Sequence, residues 1–448
     1  MKPSNAILTH CGIAIVGCGT VGGASAKLLV DNRALNSQRT GLDIELKYII
    51  DKNLDHARSL GLPEALFQVD VQKALADPEV QIIVELVGGT GFARELVRQA
   101  LSAGKQVVTA NKALLAQHGQ ELFALARAHN CCIGFEASCG GGIPIIRALY
   151  DGLSANKIQA LYGIVNGTCN FILTEMIQKG QNYAEALKDA QAAGYAEADP
   201  SLDVQGGDSA HKIAIMAGLA FGARIDLSDI SVKGFDTLQA HDVATGSDLG
   251  YVVKLIAQAS KSAKGIHVRV EPAFISRSHP LAWVSGSFNA LSVYGHAVGH
   301  TLYYGRGAGA TPTASAVVSD IISIAAGSYP LIFRQFSIWA DLTEKPLIQA
   351  ENDLIRRHYF RFQAPDQPGV LAKITAIFGR LGISVASIHQ PEVPEGGPAT
   401  SSVPVIVIGH PTNEGNARQA LKEICAIEGM SPQASLIPIL DERQEFLD

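Results

Sequence analysis

The feature that most constrains the fold lies near the start of the chain, where a buried strand runs directly into a glycine-rich turn and a helix. Residues 12–16 read GIAIV, an unbroken apolar run typical of a strand that is buried on both faces. The next residues read GCGTVGG, in which Gly17, Gly19 and Gly22 satisfy the pattern G-x-G-x-x-G, and a helical pattern follows. This arrangement predicts the opening of a dinucleotide-binding Rossmann domain, in which the helix N-terminus offers N–H groups to phosphates.

The alternation of strands and helices continues to about residue 130 and predicts a doubly wound parallel sheet. In such a sheet the ligand lies beyond the carboxyl ends of the strands. The second strand ends at Asp51, where a carboxylate would hydrogen-bond the ribose 2′-hydroxyl of NAD and repel a 2′-phosphate. The neighbouring Lys52 would instead attract the 2′-phosphate of NADP, so the choice of cofactor stays open. Lys112 lies at another strand end, and we expect it to face the cofactor or the substrate.

Composition argues against several classes of function. The chain has 448 residues, enough for two or three domains, of which 47% are hydrophobic and only 17% are charged. A net charge of −6 argues against nucleic-acid binding, and the apolar run near the N-terminus is too short to span a membrane. The seven cysteines contain no C-x-x-C pair, which favours a reducing compartment, and we expect a cytoplasmic location.

Two glycine-containing motifs interrupt the middle of the chain. Residues 131–149 read CCIGFEASCGGGIPIIRAL, in which three consecutive glycines precede a proline. This pattern indicates either a backbone held tightly against a neighbouring segment or a hinge between domains, and the two interpretations are compatible. Residues 166–170 read NGTCN and lead from a strand into a helix, for which Thr168 or Asn170 is the expected N-cap.

The most unusual stretch is GYAEADPSLDVQGGDSAHK, residues 194–212, which gathers four carboxylates before an apolar helix. We expect Gly194 to end the preceding helix and Asp208 to begin the next one, where the helix dipole favours a carboxylate. Asp208 and Lys212 are spaced i,i+4 and share a helix face, and we expect Lys212 at the margin of a buried surface. The spacing alone leaves a catalytic Asp–Lys pair and a surface salt bridge equally open.

The rest of the chain predicts two further units. After about residue 225 the pattern is rich in strands and indicates an α+β region with an open mixed sheet, which would contact the substrate and another subunit. Residues 305–309 read GRGAG, a second glycine-rich loop before an apolar helix, where the chain would approach the cofactor again. From about residue 357 the order is βαββαβ, typical of a ferredoxin-like module that senses a small molecule or forms dimers.

Seven motifs in a fixed order show that the chain resembles homoserine dehydrogenase with a C-terminal ACT domain. They are GCGTVGG, TANKALL, FEASCGGGIPII, NGTCNFIL, GYAEADPSLDVQGGDSAHK, GRGAGATPTASAVV and DQPGVLAKI, and they span essentially the whole sequence. The resemblance implies a Rossmann-type NAD(P)-binding domain at 1–138, a substrate-binding, catalytic and dimerisation domain at 139–304, a glycine-rich loop and helix returning to the nucleotide domain at 305–345, and an ACT regulatory domain at 356–448.

The resemblance implies an activity, the NAD(P)-dependent interconversion of L-homoserine and L-aspartate 4-semialdehyde on the route to threonine, methionine and isoleucine. Lys212 would donate or accept the proton on the substrate oxygen, and Asp208 would hydrogen-bond the reacting hydroxyl. Lys112 would lie between nicotinamide and substrate and share in proton transfer. The implied substrate-binding residues are Glu197, Asp203, Asp208 and Gly194. The implied cofactor-binding residues are Gly17, Gly19, Thr20, Val21, Gly22, Asp51, Lys52, Lys112, Gly307 and Gly309.

The resemblance also implies two further ligands. A monovalent cation, expected to be sodium, would be held largely by backbone carbonyls, since hard cations prefer oxygen. Its implied ligands are Glu136, Cys139, Gly141 and Ile143. An amino acid, L-threonine being the usual effector in the family, would bind the ACT domain at Asp366, Gly369 and Leu371. ACT domains usually pair, so we expect a homodimer or a homotetramer.

Two other functions fit parts of the sequence. One is a different amino-acid or semialdehyde dehydrogenase on a Rossmann scaffold. An aspartate-semialdehyde dehydrogenase would need a nucleophilic cysteine beside a base, and Cys139 is the one plausible candidate in the sequence. The other is a catalytically silent amino-acid sensor that keeps both folds. Such a sensor would have no reason to retain Lys112, Glu197, Asp208 and Lys212 together.

The chain departs from the family pattern at three places. The second strand is followed by DKN, without the arginine that is common in relatives, which weakens the case for NADP. Arg306 stands in the GRGAG loop where proline is common. Cys139 and Cys169 replace residues that are more often Val and Thr.

Overall fold

The computed structural model describes residues 9–236, 238–391 and 402–440. The first part of the chain forms six strands, β1 (His10–Val16), β2 (Asp43–Ile50), β3 (Phe67–Gln68), β4 (Val80–Glu85), β5 (Gln106–Thr109) and β6 (Ile133–Gly134). The helices of this part are α1 (Thr20–Asp31), α2 (Arg33–Thr40), α3 (Asp55–Ser59), α4 (Val71–Ala76), α5 (Gly91–Ser102) and α6 (Lys112–Ala128). Single 3₁₀ turns lie at Glu64–Leu66 and Glu136–Ser138.

These six strands form one parallel sheet in the order β3-β2-β1-β4-β5-β6. The apolar run of β1 lies at its centre, and every residue of the strand after His10 is buried. The strand order reverses between β1 and β4, and ligands bind outside the carboxyl ends of strands at such a switch point. The predicted doubly wound parallel sheet is confirmed.

The remaining strands of the described part of the chain form an eleven-stranded mixed sheet. They are β7 (Ile158–Ile164), β8 (Ser231–Val232), β9 (Tyr251–Ser262), β10 (Gly265–Ser276), β11 (Phe288–Gly295), β12 (Gly299–Arg306), β13 (Ile355–Pro365), β14 (Val385–His389), β15 (Ser402–Gly409), β16 (Thr412–Asn413) and β17 (Ser435–Leu440). The order along the sheet is β12-β11-β7-β9-β10-β17-β13-β15-β14, with β8 paired to β10 and β16 paired to β13. The predicted open mixed sheet is therefore also confirmed.

Within the described residues, ten further helices accompany the second sheet or return to the first. They are α7 (Ile145–Arg147), α8 (Gly167–Lys179), α9 (Tyr183–Ala192), α10 (Ser201–Val204), α11 (Gly207–Phe221), α12 (Ala240–Asp248), α13 (Ala310–Ala325), α14 (Ser328–Gln335), α15 (Val370–Arg380) and α16 (Glu414–Cys425). A π-helical turn at Ala148–Gly152 continues α7. Further 3₁₀ turns lie at Leu227–Asp229, Pro280–Trp283 and Glu351–Asp353.

The C-terminal module has the predicted ferredoxin-like topology. Its order is β13-α15-β14-β15-α16-β17, and Phe360, Phe362 and Phe378 pack together in a core of its own. Its sheet is not separate, because β17 pairs in parallel with β10 through Phe274↔Ile439 and Ile275↔Leu440. The ferredoxin-like sheet therefore continues the sheet of the preceding unit, which the sequence patterns did not predict.

Helices α13 and α14 pack against the first sheet although they follow strands of the second. The Tyr329 hydroxyl donates to the Ile133 carbonyl at 2.7 Å, and the Arg127 guanidinium donates to the Phe333 carbonyl at 2.7 Å. Gly134 makes this packing possible, since a Cβ there would lie 3.0 Å from the Cβ of Asp320. The chain thus crosses from the second sheet back to the first at residues 305–309.

No single helix within the described residues is both long and apolar enough to cross a membrane. Only α13 and α14 taken together, at 82° to each other, reach that length and composition. All seven cysteines are free thiols, and six of them are buried.

Candidate active site

Helix α11 carries the acidic end of the 194–212 stretch, and a glycine fixes where it begins. Gly206 is the N-cap and has φ of 88°, a conformation that favours glycine. A Cβ at this position would also lie 3.0 Å from side-chain carbons of Val232 on β8 and Val270 on β10. The N-terminus of α11 therefore rests directly on the second sheet.

Asp208 and Lys212 form a buried ion pair on α11. The Lys212 Nζ atom lies 2.7 Å from Asp208 Oδ2 and donates to the Val165 carbonyl, also at 2.7 Å. The two residues are only 6% and 8% exposed. The pair is therefore not a surface salt bridge, and Lys212 is buried rather than marginal.

Lys112 completes the cluster from the side of the first sheet. It is the first residue of α6, whose N-cap Asn111 accepts from the Leu114 N–H at 3.1 Å. Its Nζ lies 3.1 Å from Asp208 Oδ1, so that the two Asp208 oxygens each face a different lysine. The nucleotide side and the second sheet thus meet at one carboxylate.

The two lysines govern the charge of this cluster. Burial would raise the pKa of the Asp208 carboxyl, but Lys212 and then Lys112 outweigh it and hold that pKa well below its usual range. Burial would likewise lower the pKa of Lys212, but attraction to Asp208 raises that pKa above its ordinary value. The resting cluster therefore contains ionised Asp208 and protonated Lys212 at neutral pH.

Residues 165–169 hold the acidic stretch at several points. Asn166 donates to Asp203 Oδ1 at 2.7 Å and to Asp208 Oδ2 at 2.8 Å. Thr168 donates to the Tyr195 carbonyl at 2.7 Å, and the Cys169 thiol lies 3.3 Å from the Asp203 carbonyl. Nothing in the sequence patterns distinguished this segment as the support of the 194–212 stretch.

The N-cap expected for α8 was wrong. Asn166 is the cap, because its Oδ1 accepts from the Cys169 N–H at 2.8 Å. Thr168 lies inside the helix, and Asn170 donates to the carbonyls of Val284 and Phe288 instead. The glycine at 167 allows this start, since a Cβ there would lie 2.7 Å from the Ser287 carbonyl.

Of the other predicted substrate-binding residues, one lies in the cluster and two lie in an exposed loop. Asp203 lies in the cluster through Asn166, and burial followed by the proximity of Asp208 raises its pKa. Gly194 follows the end of α9 with φ of 74°, as expected, and lies in an exposed loop. Glu197 is exposed in the same loop, and its carboxylate hydrogen-bonds to none of the residues that the structure describes. Of these three residues, Asp203 thus lies beside Asp208, whereas Gly194 and Glu197 lie in the exposed loop.

The glycine turn after β1 has the geometry that its sequence requires. Gly17 has φ of 97°, and a Cβ there would lie 2.6 Å from the Leu86 carbonyl. A Cβ on Gly22 would lie 1.8 Å from the Gly17 oxygen, whereas one on Gly19 would meet no atom within 4 Å. Gly19 is the N-cap of the 12-residue helix α1, makes no side-chain cap and is exposed. The N–H groups of Thr20 and the next residue, Val21, therefore open this helix without a side-chain partner at its cap.

The Asp51 carboxylate accepts two backbone hydrogen bonds. Its Oδ2 accepts from the Cys18 N–H at 2.6 Å and its Oδ1 from the Asn53 N–H at 3.1 Å, which fastens the glycine turn to the end of β2. Lys52 beside it is exposed. Both side chains lie at the carboxyl edge of the sheet where the sequence predicts the ribose of the cofactor.

Glu85 is a buried carboxylate at the same edge that sequence reasoning missed. It ends β4 with no exposed surface and accepts from the Thr109 hydroxyl at 2.6 Å and from the N–H groups of Val87 and Gly88. Burial raises its pKa. It ties the turn after β4 to the strand that precedes Lys112. The available signal was a single carboxylate closing the apolar run VQIIVE at a strand end.

The triple glycine packs against the GRGAG loop. A Cβ on Gly141 would lie 2.5 Å from the carbonyl of Gly307, and the Gly142 N–H donates to the Arg306 carbonyl at 3.0 Å. Gly307 is equally confined, because a Cβ there would lie 1.8 Å from the Asn289 amide nitrogen. Gly309, with φ of 119°, is the N-cap of α13. The glycines are therefore needed for close backbone contact.

The side chains of Glu136 and Cys139, two of the residues implied as cation ligands, contact backbone groups of the protein. The Glu136 carboxylate accepts from the N–H groups of Ile146 and Arg147, each at 2.8 Å, and burial raises its pKa to about 7. The Cys139 thiol lies 3.7 Å from the Lys212 carbonyl, and burial raises its pKa to about 12. Within the described ranges no group of three or more His, Cys, Asp or Glu residues is arranged to hold a metal ion. Backbone carbonyls, including that of Ile143, remain the donors that fit a hard cation.

The predicted effector residues lie together at the turn before α15. Asp366 accepts from the Gln390 amide at 3.0 Å, and Gly369 is the N-cap of α15 with φ of 90°. Leu371, the second residue of this helix, is 38% exposed. The turn is therefore open to solvent at the carboxyl end of β13.

Comparisons with known proteins agree along the whole chain. Family models match for "Homoserine dehydrogenase, NAD binding domain" at residues 17–136, "Homoserine dehydrogenase" at 144–322 and "ACT domain" at 358–427. The homoserine dehydrogenase of Neisseria gonorrhoeae is 41% identical over 445 residues, which covers 98% of each chain.

Solved structures give the same result. A homoserine dehydrogenase from Thiobacillus denitrificans superposes with a TM-score of 0.89 at 39% identity and covers 97% of this chain and 99% of its own. A hyperthermophilic archaeal homoserine dehydrogenase mutant, solved in complex with NADPH, superposes with a TM-score of 0.59 at 28% identity and covers 70% of this chain and 97% of its own.

Proposed function

The chain belongs to the homoserine dehydrogenase family, and we propose that it interconverts L-homoserine and L-aspartate 4-semialdehyde with proton transfer through Lys212. It is an oxidoreductase with a nucleotide-binding domain and an ACT domain. The observation that carries the proposal is the cluster of buried Asp208 and Lys212 with the partly exposed Lys112, which joins the first sheet to the second. A reaction at a substrate oxygen needs such a titratable group within a protected cleft.

The nicotinamide ring, when bound, supplies or accepts the hydride at C4 of the substrate. The protein must then handle the proton of the alcohol. A lysine ammonium has three N–H groups, and Lys212 gives two of them to Asp208 and to the Val165 carbonyl. The third is left for a substrate oxygen. In reduction Lys212 donates this proton and stabilises the forming alkoxide, and in oxidation the neutral amine accepts it.

Asp208 supports this step by holding both lysines. One oxygen accepts a hydrogen bond from Lys212 and the other forms an ion pair with Lys112, so the carboxylate draws both ammonium groups to itself. This arrangement favours a role in orienting the lysines over the direct bond to the reacting hydroxyl that the family resemblance implies. Lys112, about one third exposed, remains free to reach a bound ligand with its other N–H groups.

The ammonium of homoserine needs a carboxylate partner, and we assign Asp203 as the first candidate because it lies beside Asp208 in the cluster. Glu197 and the Gly194 backbone lie in the exposed loop that precedes α10 and complete the proposed set. Loss of either carboxylate should raise KM for homoserine more than it lowers kcat, since the ammonium takes no part in hydride transfer.

A nicotinamide dinucleotide fits the glycine turns. The open space at Gly19 and the uncapped start of α1 at Thr20 and Val21 suit a pyrophosphate, as does the N-cap of α13 at Gly309. We propose that Gly307 shapes this second loop and that Gly17 and Gly22 shape the first. NAD and NADP both stay open, because Asp51 and Lys52 favour opposite choices.

The remaining ligands are proposals of the same kind. Sodium would bind through backbone carbonyls near Gly141, and L-threonine or another amino acid would bind at the turn that contains Asp366, Gly369 and Leu371. Activity assays with the sodium and potassium forms of the enzyme, and with each amino acid added in turn, test these assignments. A homodimer or homotetramer, a cytoplasmic location and the four domain boundaries predicted above stay predictions.

The decisive experiment is homoserine-dependent reduction of NAD and of NADP by the purified protein. We expect activity with at least one cofactor, and Lys212→Ala to lower kcat by about a thousandfold while cofactor binding persists. Lys188→Ala, an exposed lysine on α9, is the control and should retain full activity. Unchanged turnover in Lys212→Ala would exclude the role proposed for Lys212. A wild-type protein that is inactive with both cofactors yet binds an amino acid would instead be a catalytically silent sensor.

A further inference from the structure

We propose that Asn166 is a positioning residue of the reaction, because its carboxamide holds Asp203 and Asp208 in place between the acidic loop and the lysines. The inference rests on the proposed dehydrogenase function and concerns the same site. Asn166 touches neither lysine through a hydrogen bond in the described structure and would act through Asp208.

The hydrogen bonds of Asn166 define its orientation completely. It is 6% exposed, and both N–H groups of its amide are directed at carboxylates, at 2.7 Å from Asp203 Oδ1 and 2.8 Å from Asp208 Oδ2. Its carbonyl oxygen accepts from the Cys169 N–H at 2.8 Å. A flipped amide would aim its oxygen at two carboxylates and its nitrogen at a donor, so only the observed orientation is possible.

The Asn166 amide determines which oxygen of Asp208 faces each lysine. Oδ2 accepts from both Asn166 and Lys212, which leaves Oδ1 for Lys112 at 3.1 Å. Without the amide, the carboxylate would be free to rotate about its last bond and to face one lysine with both oxygens. Asn166 therefore keeps the two lysines apart and holds Lys212 in its position for the substrate oxygen.

The amide also separates two carboxylates, the buried Asp208 and the partly buried Asp203. Asp203 and Asp208 are bridged by a single side chain, and neighbouring negative charges disfavour each other's ionisation. A neutral donor between them lets both stay close, one toward the lysines and the other toward the substrate ammonium. An acceptor in the same place would repel both.

The groups that face this cluster come from four helices and one loop. They are Lys112 from α6, Cys169 from α8, Asp203 from α10, Asp208, His211 and Lys212 from α11, and Cys139 from the triple-glycine loop. Burial raises the pKa of both thiols, and burial followed by Lys112 lowers the pKa of His211. Lys212 is thus the group in this cluster whose titration the alkaline part of the rate profile should report.

Asn166 is also the N-cap of α8, and the test must separate the two roles. Asn166→Asp keeps an oxygen for the Cys169 N–H, because Asp caps helices as well as Asn does. It replaces the two donated N–H groups by a third carboxylate oxygen facing Asp203 and Asp208. The matched control is Asn182→Asp, since Asn182 caps α9 in the same way, accepting from the Glu185 N–H at 3.0 Å, and is exposed.

We expect Asn166→Asp to lower kcat for homoserine oxidation by about a hundredfold or more. The added negative charge raises the pKa of Lys212 further, so the alkaline rise of the kcat–pH profile should move to higher pH. Asn182→Asp should change neither kcat nor the profile. Asn166→Ser, which keeps a capping oxygen but lacks the amide, should lower kcat without the upward shift and serves if the Asp variant does not fold.

Two results would overturn the inference, and they distinguish a failure of the Asn166 role from a failure of the proposed function. If the wild type oxidises homoserine and both Asn166 variants behave like Asn182→Asp in kcat and pH profile, Asn166 is only a helix cap. If the wild type oxidises homoserine with neither NAD nor NADP, the proposed function is wrong and the positioning role is lost with it.

Discussion

One buried carboxylate, Asp208, sets the protonation state of the site. The pKa of Lys212 is raised because Asp208 outweighs the effect of burial, so this lysine enters the reaction as an ammonium. Reduction of the semialdehyde then starts from the proton donor that it needs. Oxidation of homoserine must first remove that proton, and its rate should rise with pH until it approaches the raised pKa of Lys212.

Replacing Asp208 by Asn should therefore shift the pH dependence in a defined direction. Without the carboxylate, Lys212 loses the attraction that raises its pKa most, so burial lowers that pKa and the alkaline rise of kcat for oxidation moves to lower pH. We also expect kcat at its maximum to fall by about a hundredfold, because both lysines lose their anchor. Kinetics from neutral to strongly alkaline pH measure both effects.

The control for this variant is Asp31→Asn. Asp31 forms an i,i+4 pair with Lys27 at 2.9 Å, the same spacing as in Asp208–Lys212, but both side chains are about half exposed. That substitution should leave the profile unchanged. A profile for Asp208→Asn that coincides with the wild type would contradict the charge assignment of Lys212.

Substitutions of Asp51 and of Lys52 should change the preference between NADP and NAD in opposite directions. Asp51→Asn removes a negative charge but keeps an oxygen for the Cys18 N–H, so kcat/KM for NADP relative to NAD should rise about tenfold. Lys52→Ala should lower the same ratio, because it removes a positive charge near the 2′-phosphate. The ratio is measured with both cofactors in one assay. If neither variant changes it, the adenosine ribose does not lie at the end of β2.

At the scale of elements, the loop of residues 139–143 and the loop of residues 305–309 act as one unit. Their backbones touch at Gly141 and Gly307 and are joined by the hydrogen bond from the Gly142 N–H to the Arg306 carbonyl. Arg306 also stacks over Phe288 with its guanidinium 5.3 Å from the ring centre. At a position where proline is common in the family, this chain thus has an arginine that packs on β11.

Gly141→Ala should destabilise the protein and its nucleotide site together. The residue has φ of 55°, and the new methyl group would lie 2.5 Å from the Gly307 carbonyl, so we expect a loss of about 2 kcal/mol or more in unfolding free energy. Gly379→Ala is the matched control, because this glycine lies in α15 with open space around it. That substitution should be neutral or stabilising by about 0.5–1 kcal/mol. Chemical denaturation that finds equal effects would exclude the close approach of the two loops.

Local patterns predicted the parts of the site that depend on local geometry. The glycine turn at 17–22, the end of α9 at Gly194 and the i,i+4 pair on α11 all follow from neighbours within a few residues. The burial of Lys212 depends instead on the Val165 carbonyl, 47 positions earlier, and no short pattern encodes it. The role of Asn166 was missed for a related reason. Thr168 and Asn170 have the same local capping chemistry, and the hydrogen bonds from Asn166 to Asp203 and Asp208 join residues that are distant in sequence.

At the scale of the whole molecule, buried charges connect the ACT module to the second sheet. Arg356 on β13 bonds to Glu271 on β10 and to Glu414 on α16, and Arg361 on β13 bonds to Asp242 on α12 at 2.6 Å. All five side chains are at most 15% exposed. The ACT module is thus fastened by ion pairs as well as by strand pairing, and a change within it would act on β10, the strand that supports the start of α11 at Val270.

Two buried histidines, His267 on β10 and His279, should make the fold sensitive to acid. Burial, followed by Arg269 and Arg356, lowers the pKa of His267 to about 3, and burial followed by His300 lowers that of His279 to about 4. In the unfolded chain each binds a proton below about pH 6.5, whereas in the folded protein each stays neutral. Stability should therefore fall as pH drops from about 6.5 to about 4, by up to about 1.4 kcal/mol per pH unit for each histidine.

Denaturation series at several pH values check this slope. His279→Gln should flatten the acid loss, even if it lowers stability at neutral pH, because one titrating group has been removed. His129→Gln, an exposed histidine after α6, should keep the wild-type slope. Parallel slopes for all three proteins would show that the acid sensitivity has another origin.

The strand β17 is synthesised after every strand that it touches. It pairs with β10, made more than 150 residues earlier, and with β13, and it lies between them. During translation the two halves of the eleven-stranded sheet therefore each expose an open edge until this short segment leaves the ribosome. Edges of that kind attract other strands, so a nascent chain held before residue 435 should be far more prone to self-association than the finished protein.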